Sequence, residues 1–162
     1  MQESDGNQPT AETPRNTILI VDDVELNRDV LSIMFSQNHE VLFAESGPEA
    51  IEIIQKQSNS ICAILLDYLM PGMEGLTFLK TVRGPVFLIT ASLEHDVVHR
   101  AYDLGVMDYI QRPISPFIVQ RRIENVIELY RTRIQYARLL KSQKHLLERL
   151  QAAEDPAPDI MF

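Results

Sequence analysis

Only one cysteine, Cys62, stands among the 162 residues, so a disulfide framework within the chain is excluded. That usage suits a reducing compartment, and the apolar run around Cys62 gives it the place of a small buried hydrophobe. No apolar run approaches the roughly 20 residues that a membrane-spanning helix needs. The polar start, "MQESDGNQPTAETPRNT", lacks the apolar core of a signal peptide. Residues 1–16 are therefore expected to form a disordered leader, and the chain is expected in the cytoplasm with no membrane contact. Internal repeats and low-complexity blocks are missing too. What is there is the balance of a globular domain, 45% hydrophobic and 23% charged residues, in a chain long enough to bury a substantial core.

Positive charge is scarce outside one stretch. The net charge is −8, yet residues 121–150 hold eight Arg or Lys against three Glu, leaving −13 on the remainder. So acidic a body argues against nucleic acid as its partner.

Hydrophobic patterning predicts five strands alternating with five helices. The strands are "TILIVDD" (17–23), "EVLFA" (40–44), "ICAILL" (61–66), "PVFLIT" (85–90) and "DYIQR" (108–112). They are apolar throughout rather than alternating, as in a parallel sheet covered on both faces. The helices are expected over 25–37, with Leu26, Val30, Ile33 and Met34 as the apolar row, then 47–57, 75–83, 94–105 closed by Gly105, and one from Pro116 to about Gln151. Ser115 reads as the N-cap of the last. The fold class is α/β, a flavodoxin-like doubly wound five-stranded parallel sheet with a long C-terminal helix.

In such a sheet the working crevice lies at the carboxyl ends of the strands. Asp22 and Asp23 end the first strand, and Asp67 ends the third, its central neighbour. Three converging carboxylates repel unless something neutralises them. A hard divalent cation such as Mg²⁺ does so with oxygen ligands and retained waters, and it can also neutralise a phosphoryl group beside Asp67. Thr90 at the fourth strand end offers a hydroxyl, and Arg112 at the fifth offers a cation.

The stretches "ILIVDD", "LLDYLMPGMEG", "FLITAS" and "DYIQRP" resemble, in order and spacing, the motifs of the response-regulator receiver domain of two-component signalling, over about residues 17–130. The resemblance implies that Asp67 accepts a phosphoryl group from a histidine kinase or phosphotransfer protein. It implies Mg²⁺ held by Asp23 directly, by Asp22 mainly through water, by Asp67, and by the backbone carbonyl of Leu69. Thr90 becomes the switch hydroxyl and Tyr109 the switch aromatic, and the peptide bond before Pro113 a candidate for cis. The output face would be the fourth helix, fifth strand and fifth helix. The chain itself would be a switch rather than an enzyme.

Arg112 departs from the lysine the family normally places before that proline. A guanidinium is a planar fork, an ammonium a point charge. Three arrangements stay open: Arg112 on a phosphoryl oxygen, paired with Asp67 at rest, or too far out for either. Leu69 and Ser92 stand where the family often positions a hydrolytic water, and neither offers a carboxylate or amide, so a slowly hydrolysing phosphoryl-aspartate is expected. Ala91 leaves the pocket open to a donor. His95 and His99 share a face of the fourth helix without a third ligand nearby, so they are expected to face solvent.

In the last helix the apolar residues Ile123, Ile127, Tyr130, Ile134, Ala137, Leu140, Leu147 and Leu150 run in near-heptad spacing with a stammer before Leu140. The domain reading is a leader (1–16), a receiver (17–130), a coiled-coil extension (131–151) that forms a homodimer, and a flexible tail (152–162). No helix-turn-helix or enzymatic output domain fits after Gln151, so the output is expected in a downstream protein partner or a missing output domain. Two rivals follow. A phosphohydrolase using Asp67 would need an Asp-x-Asp pattern, but Leu69 holds the second position. A phosphorylation-independent pseudo-receiver, acting as a dimerisation scaffold, is kept alive by Arg112.

Overall fold

The computed structural model describes residues 15–71, 75–91 and 94–154. Residues 1–14 of the expected leader, residues 155–162 of the expected tail, and Ser92 lie outside these. Strands and helices alternate: β1 (Thr17–Val21), α1 (Glu25–Phe35), β2 (Glu40–Ala44), α2 (Gly47–Gln57), β3 (Ile61–Asp67), α3 (Gly75–Thr81), β4 (Val86–Thr90), α4 (His95–Asp103), β5 (Asp108–Gln111) and α5 (Pro116–Glu154). The strands are all parallel, in the order β2-β1-β3-β4-β5. This is the flavodoxin-like doubly wound sheet that the apolar strands predict.

Every residue of β1 and β4 is buried, and so are the first six of β3. Side chains of a strand point alternately to its two faces. Leu19, Val21, Ile64, Leu66, Val86 and Leu88 take one face, in a core with Ala50 of α2, Phe78 and Leu79 of α3, and Ala101 of α4. Ile18, Ile20, Ala63, Leu65, Phe87 and Ile89 take the other, buried together with Leu31 and Phe35 of α1 and Val119 and Ile123 of α5. Each central strand is thus apolar on both sides and can carry polar groups only where it ends. That places Asp67 and Thr90 at one edge.

Helix α1 turns a different face inward from the one its spacing suggests. Leu31, Phe35 and Arg28 are buried, while Leu26 is 70% and Ile33 75% exposed. Two apolar rows compete on this helix. The row with Phe35 has the larger side chain to bury, and Arg28 on the same row finds hydrogen-bond partners beneath the helix. Elsewhere the boundaries shift by a few residues: β1 stops at Val21, before the acids, α3 at Thr81, and β5 at Gln111.

The chain up to Ile123 forms one compact unit, and residues from Glu124 on form a second. No helix of the described residues is long and apolar enough to cross a membrane.

Gly105 closes α4 as expected. Its N–H donates to Tyr102 O at 2.9 Å, and the Val106 N–H donates to Ala101 O at 3.1 Å, the paired bonds of a Schellman motif. Its φ of +94° is in the left-handed region. Gly105→Ala is expected to destabilise the protein by about 1–2 kcal/mol through backbone strain alone, since nothing crowds the added Cβ. Equilibrium urea unfolding checks this, and unchanged stability would contradict it.

Candidate functional site

The strand ends bring the expected residues to one rim. Asp67 is the last residue of β3 and pairs in register with Ile89 of β4, while Thr90 pairs with Gln111 of β5. Asp22 and Asp23 follow β1 directly. Carboxylate oxygens of Asp22, Asp23 and Asp67 lie within 4.8 Å of one another. Asp22 is 1% exposed, Asp67 partly buried and Asp23 exposed. Thr90 is fully buried. The donor set fits a hard divalent cation: it is all oxygen, strongly anionic, and open on the Asp23 side to the waters such an ion keeps.

Local backbone geometry holds these groups. The Val24 N–H donates to Asp22 Oδ1 at 2.9 Å, which turns the chain from β1 into α1. Asn27 Nδ2 donates to the same oxygen at 3.3 Å. The Leu69 N–H donates to Asp67 Oδ1 at 3.2 Å. Beyond β5, the Arg112 N–H donates to Thr90 O at 2.9 Å, and the Arg112–Pro113 peptide is cis. Leu69 itself is exposed.

Two cations bracket the acids. Arg112 rests on a partner that the sequence reading did not name: its Nη2 donates to Asp22 Oδ2 at 2.9 Å. Asp22 is the most buried of the three acids, so its carboxylate has the least competing contact with water. Arg28, which sequence reasoning missed, lies under α1. Its Nη1 donates to the Asp22 backbone carbonyl at 2.7 Å and its Nη2 to Glu45 Oε1 at 2.9 Å. The available signal was a cation sharing the helical row of Leu31 and Phe35, since a buried charge needs partners.

Burial pushes the Asp67 carboxyl above the ordinary aspartate range. The Leu69 N–H opposes this, the Asp22 charge adds to it, Arg112 opposes it, and Asp23 adds a little more.

At the far end of the rim, Tyr109 is half-buried and meets Tyr102 of α4 edge to face, ring centroids 6.3 Å apart. The neighbouring Asp108 accepts from Arg122 Nε of α5 at 2.9 Å and from Tyr102 Oη at 3.4 Å. Arg122 Nη2 also donates to Tyr109 O at 3.3 Å. This cluster ties α4, β5 and α5 together, and it too was not read from sequence. His95 and His99 are both exposed. Cys62 is buried, its Sγ 3.9 Å from His39 Nδ1.

A sequence profile described as the response regulator receiver domain matches residues 18–124. A cyclic di-GMP phosphodiesterase of Thermotoga maritima is 26% identical over 144 residues, which is 82% of this chain and 38% of that protein. The two-component response regulator ORR3 of Oryza sativa is 30% identical over 126 residues, 73% of this chain and 95% of its own length. Among solved structures, the adenylate cyclase of Rhodopirellula baltica matches at 28% identity and a TM-score of 0.71, over 78% of this chain and 98% of that one. The chain thus spans well under half the length of the phosphodiesterase it resembles.

The raised Asp67 carboxyl fixes the sign of a stability effect. A folded state that holds the proton more tightly than the unfolded state has its full advantage below the unfolded value and loses it as pH rises past the folded value. Asp67→Asn is therefore expected to melt above the wild type in EDTA at neutral pH, the gap closing as pH falls toward the carboxylate range. Thermal melts across that range check it, and a lower melting temperature for the variant at neutral pH would contradict it.

Proposed function

The chain belongs to the response regulator receiver domain family, and from that premise we propose that it is a two-component signalling switch whose phosphoacceptor is Asp67. The observation that carries this reading is the convergence of the Asp22, Asp23 and Asp67 carboxylates within 4.8 Å at one sheet edge, beside the buried Thr90. Receiver domains work in phosphorylation-based signalling and bind Mg²⁺ at an acidic pocket. In this chain Asp22, Asp23, Asp67 and the backbone carbonyl of Leu69 would hold that ion. Bound there, Mg²⁺ would neutralise the charge on the transferred phosphoryl group.

The chain's own groups divide the remaining work. An oxygen of Asp67 attacks the phosphorus of a phosphohistidine on a kinase or phosphotransfer protein. The P–O bond forms as the P–N bond breaks, and the imidazole leaves with the electron pair. Desolvation of Asp67 leaves its carboxylate poorly solvated and so a better nucleophile. The Leu69 N–H orients the carboxylate. Thr90 donates its hydroxyl to a phosphoryl oxygen, and Tyr109 moves inward behind it. Tyr109 is joined to α4 and α5 through Tyr102, Asp108 and Arg122, so its movement reshapes that face. This is a local charge change acting on a two-state element. Leu69, with no carboxylate or amide for a hydrolytic water, favours a long-lived phosphoryl-aspartate. The chain acts as a cytoplasmic switch rather than as an enzyme with turnover, and its acidic body keeps it off nucleic acid.

The exposed row of α1, Leu26, Val30 and Ile33, begins a few residues from Asp23. It is an apolar face beside the pocket on which a phosphodonor protein can dock.

The second unit supports homodimerisation through α5, with a seam shifted from the sequence reading. Ile123 and Ile127 are already buried. From Glu124 on, the exposed large apolar residues are Leu129, Tyr136, Leu139, Leu140, Leu146, Leu147 and Leu150. Leu129, Tyr136, Gln143 and Leu150 recur at sevens, with Leu139 and Leu146 between them, so the stammer disappears. Residues 131–151 on this reading are a coiled-coil stalk to a downstream partner or output domain.

The pseudo-receiver scaffold remains the second reading. What favours it is that Arg112 already satisfies Asp22.

Intact-mass measurement after incubation with acetyl phosphate separates the two readings. A Mg²⁺-dependent adduct of one phosphoryl group is expected in the wild type and not in Asp67→Asn or in EDTA, while no adduct under any condition would favour the scaffold. Light scattering is expected to give a dimer for the wild type and a monomer for the doubly substituted Leu139→Asp, Leu146→Asp chain. A monomeric wild type would refute the stalk.

A further inference from the structure

Arg112 stands where the resemblance implies a lysine, and its contact is specific. Its guanidinium sits on Asp22 Oδ2 at 2.9 Å, with the Arg112 side chain 22% exposed and that of Asp22 2% exposed. The other oxygen of Asp22 is committed: Oδ1 accepts from the Val24 N–H and from Asn27 Nδ2. The Asp22 backbone carbonyl is held by Arg28. Asp22 therefore has a donor on every oxygen and a full counter-charge supplied by the chain itself.

We propose that Arg112 is the resident counter-ion of this pocket and sets its affinity for divalent cations, because a cation and the Arg112–Asp22 pair exclude one another. The inference rests on the reading of the pocket as a metal site. Oδ1 cannot serve a metal without giving up the bond that shapes the β1–α1 turn, so Oδ2 is the atom that must face the ion or its water. Arg112 already occupies it. A divalent ion and a guanidinium on one carboxylate repel each other across a partly desolvated site, where Coulomb terms are strong. Cation binding thus expels Arg112 from Asp22. The expelled guanidinium stays at the same rim as Asp67, since Arg112 follows β5 directly and its backbone N–H is held by Thr90 O. It is then free to meet the oxygens of a phosphoryl group on Asp67, for which a planar fork is suited. Metal entry and release of the phosphoryl-binding cation become one event, and the metal-free pocket is held closed to phosphoryl anions by the same pair.

The test is an NMR titration of the whole chain with MgCl₂ at constant ionic strength and without phosphodonor, following the Val24 and Leu69 amides and the Arg112 guanidinium signals. Arg112→Gln is expected to bind Mg²⁺ about tenfold more tightly than the wild type, because one opposing unit charge is gone. In the wild type, the Arg112 guanidinium signals are expected to shift as the metal saturates. Equal or weaker Mg²⁺ binding by a natively folded Arg112→Gln overturns the proposal. Should that variant fail to fold, guanidinium signals that stay unmoved while the wild-type amides saturate overturn it equally. Absence of Mg²⁺ binding in both proteins would instead sink the reading of the pocket as a metal site, and this proposal with it. Binding only in Arg112→Gln would support Arg112 as the excluding charge.

Discussion

Three carboxylates confined within 4.8 Å at one edge of a sheet are the constraint on which the rest of this structure depends. Left alone, such a cluster repels itself, and burial of Asp22 and Asp67 aggravates the repulsion. The fold answers with fixed donors. Val24, Asn27 and Leu69 supply N–H groups, and Arg112 and Arg28 supply cations. None of this requires strain, because the parallel sheet delivers β1, β3, β4 and β5 to the same rim and their apolar interiors leave polar residues only at the ends. The geometry is thus a consequence of topology, and the electrostatics is a consequence of the geometry.

That balance gives the proposed switch its physical content. On the proposed reading, a phosphoryl group on Asp67 adds a larger, bulkier anion to a site that is already strongly anionic, so neighbouring groups rearrange. Thr90 is buried beside it in the sheet and pairs with β5, which carries Tyr109; on the proposed reading this is the route by which the change reaches Tyr109. There the Tyr102–Asp108–Arg122 cluster holds α4 and the start of α5 to the strand. A charge-assisted contact of this kind is directional, and so it transmits position better than apolar packing alone does.

Much of this was legible in the residues. Uniformly apolar strands declared a doubly covered parallel sheet, and acids, hydroxyl and cation placed after those strands declared the rim. Four features were not legible, for different physical reasons. The inward face of α1 depends on which of two apolar rows wins, and Phe35 and the bonds of Arg28 decide it only in three dimensions. The partner of Arg112 depends on reach, which a sequence does not contain: Asp67 and Asp22 look equally available until the distance to each is known. On α5, spacing alone cannot tell positions already buried, such as Ile123 and Ile127, from those still exposed. Pairwise ties such as Asp108 to Arg122 leave no periodic trace at all.

The account stands or falls on Asp67 as the acceptor of a tetrahedral phosphoryl group in a pocket that also takes Mg²⁺. Fluorine NMR of the chain with beryllofluoride, which mimics that group without a donor protein, tests it most directly. Protein-bound fluoride resonances that need Mg²⁺ and are lost in Asp67→Asn are the predicted result. A wild type that shows none at saturating beryllofluoride and Mg²⁺ would contradict the account.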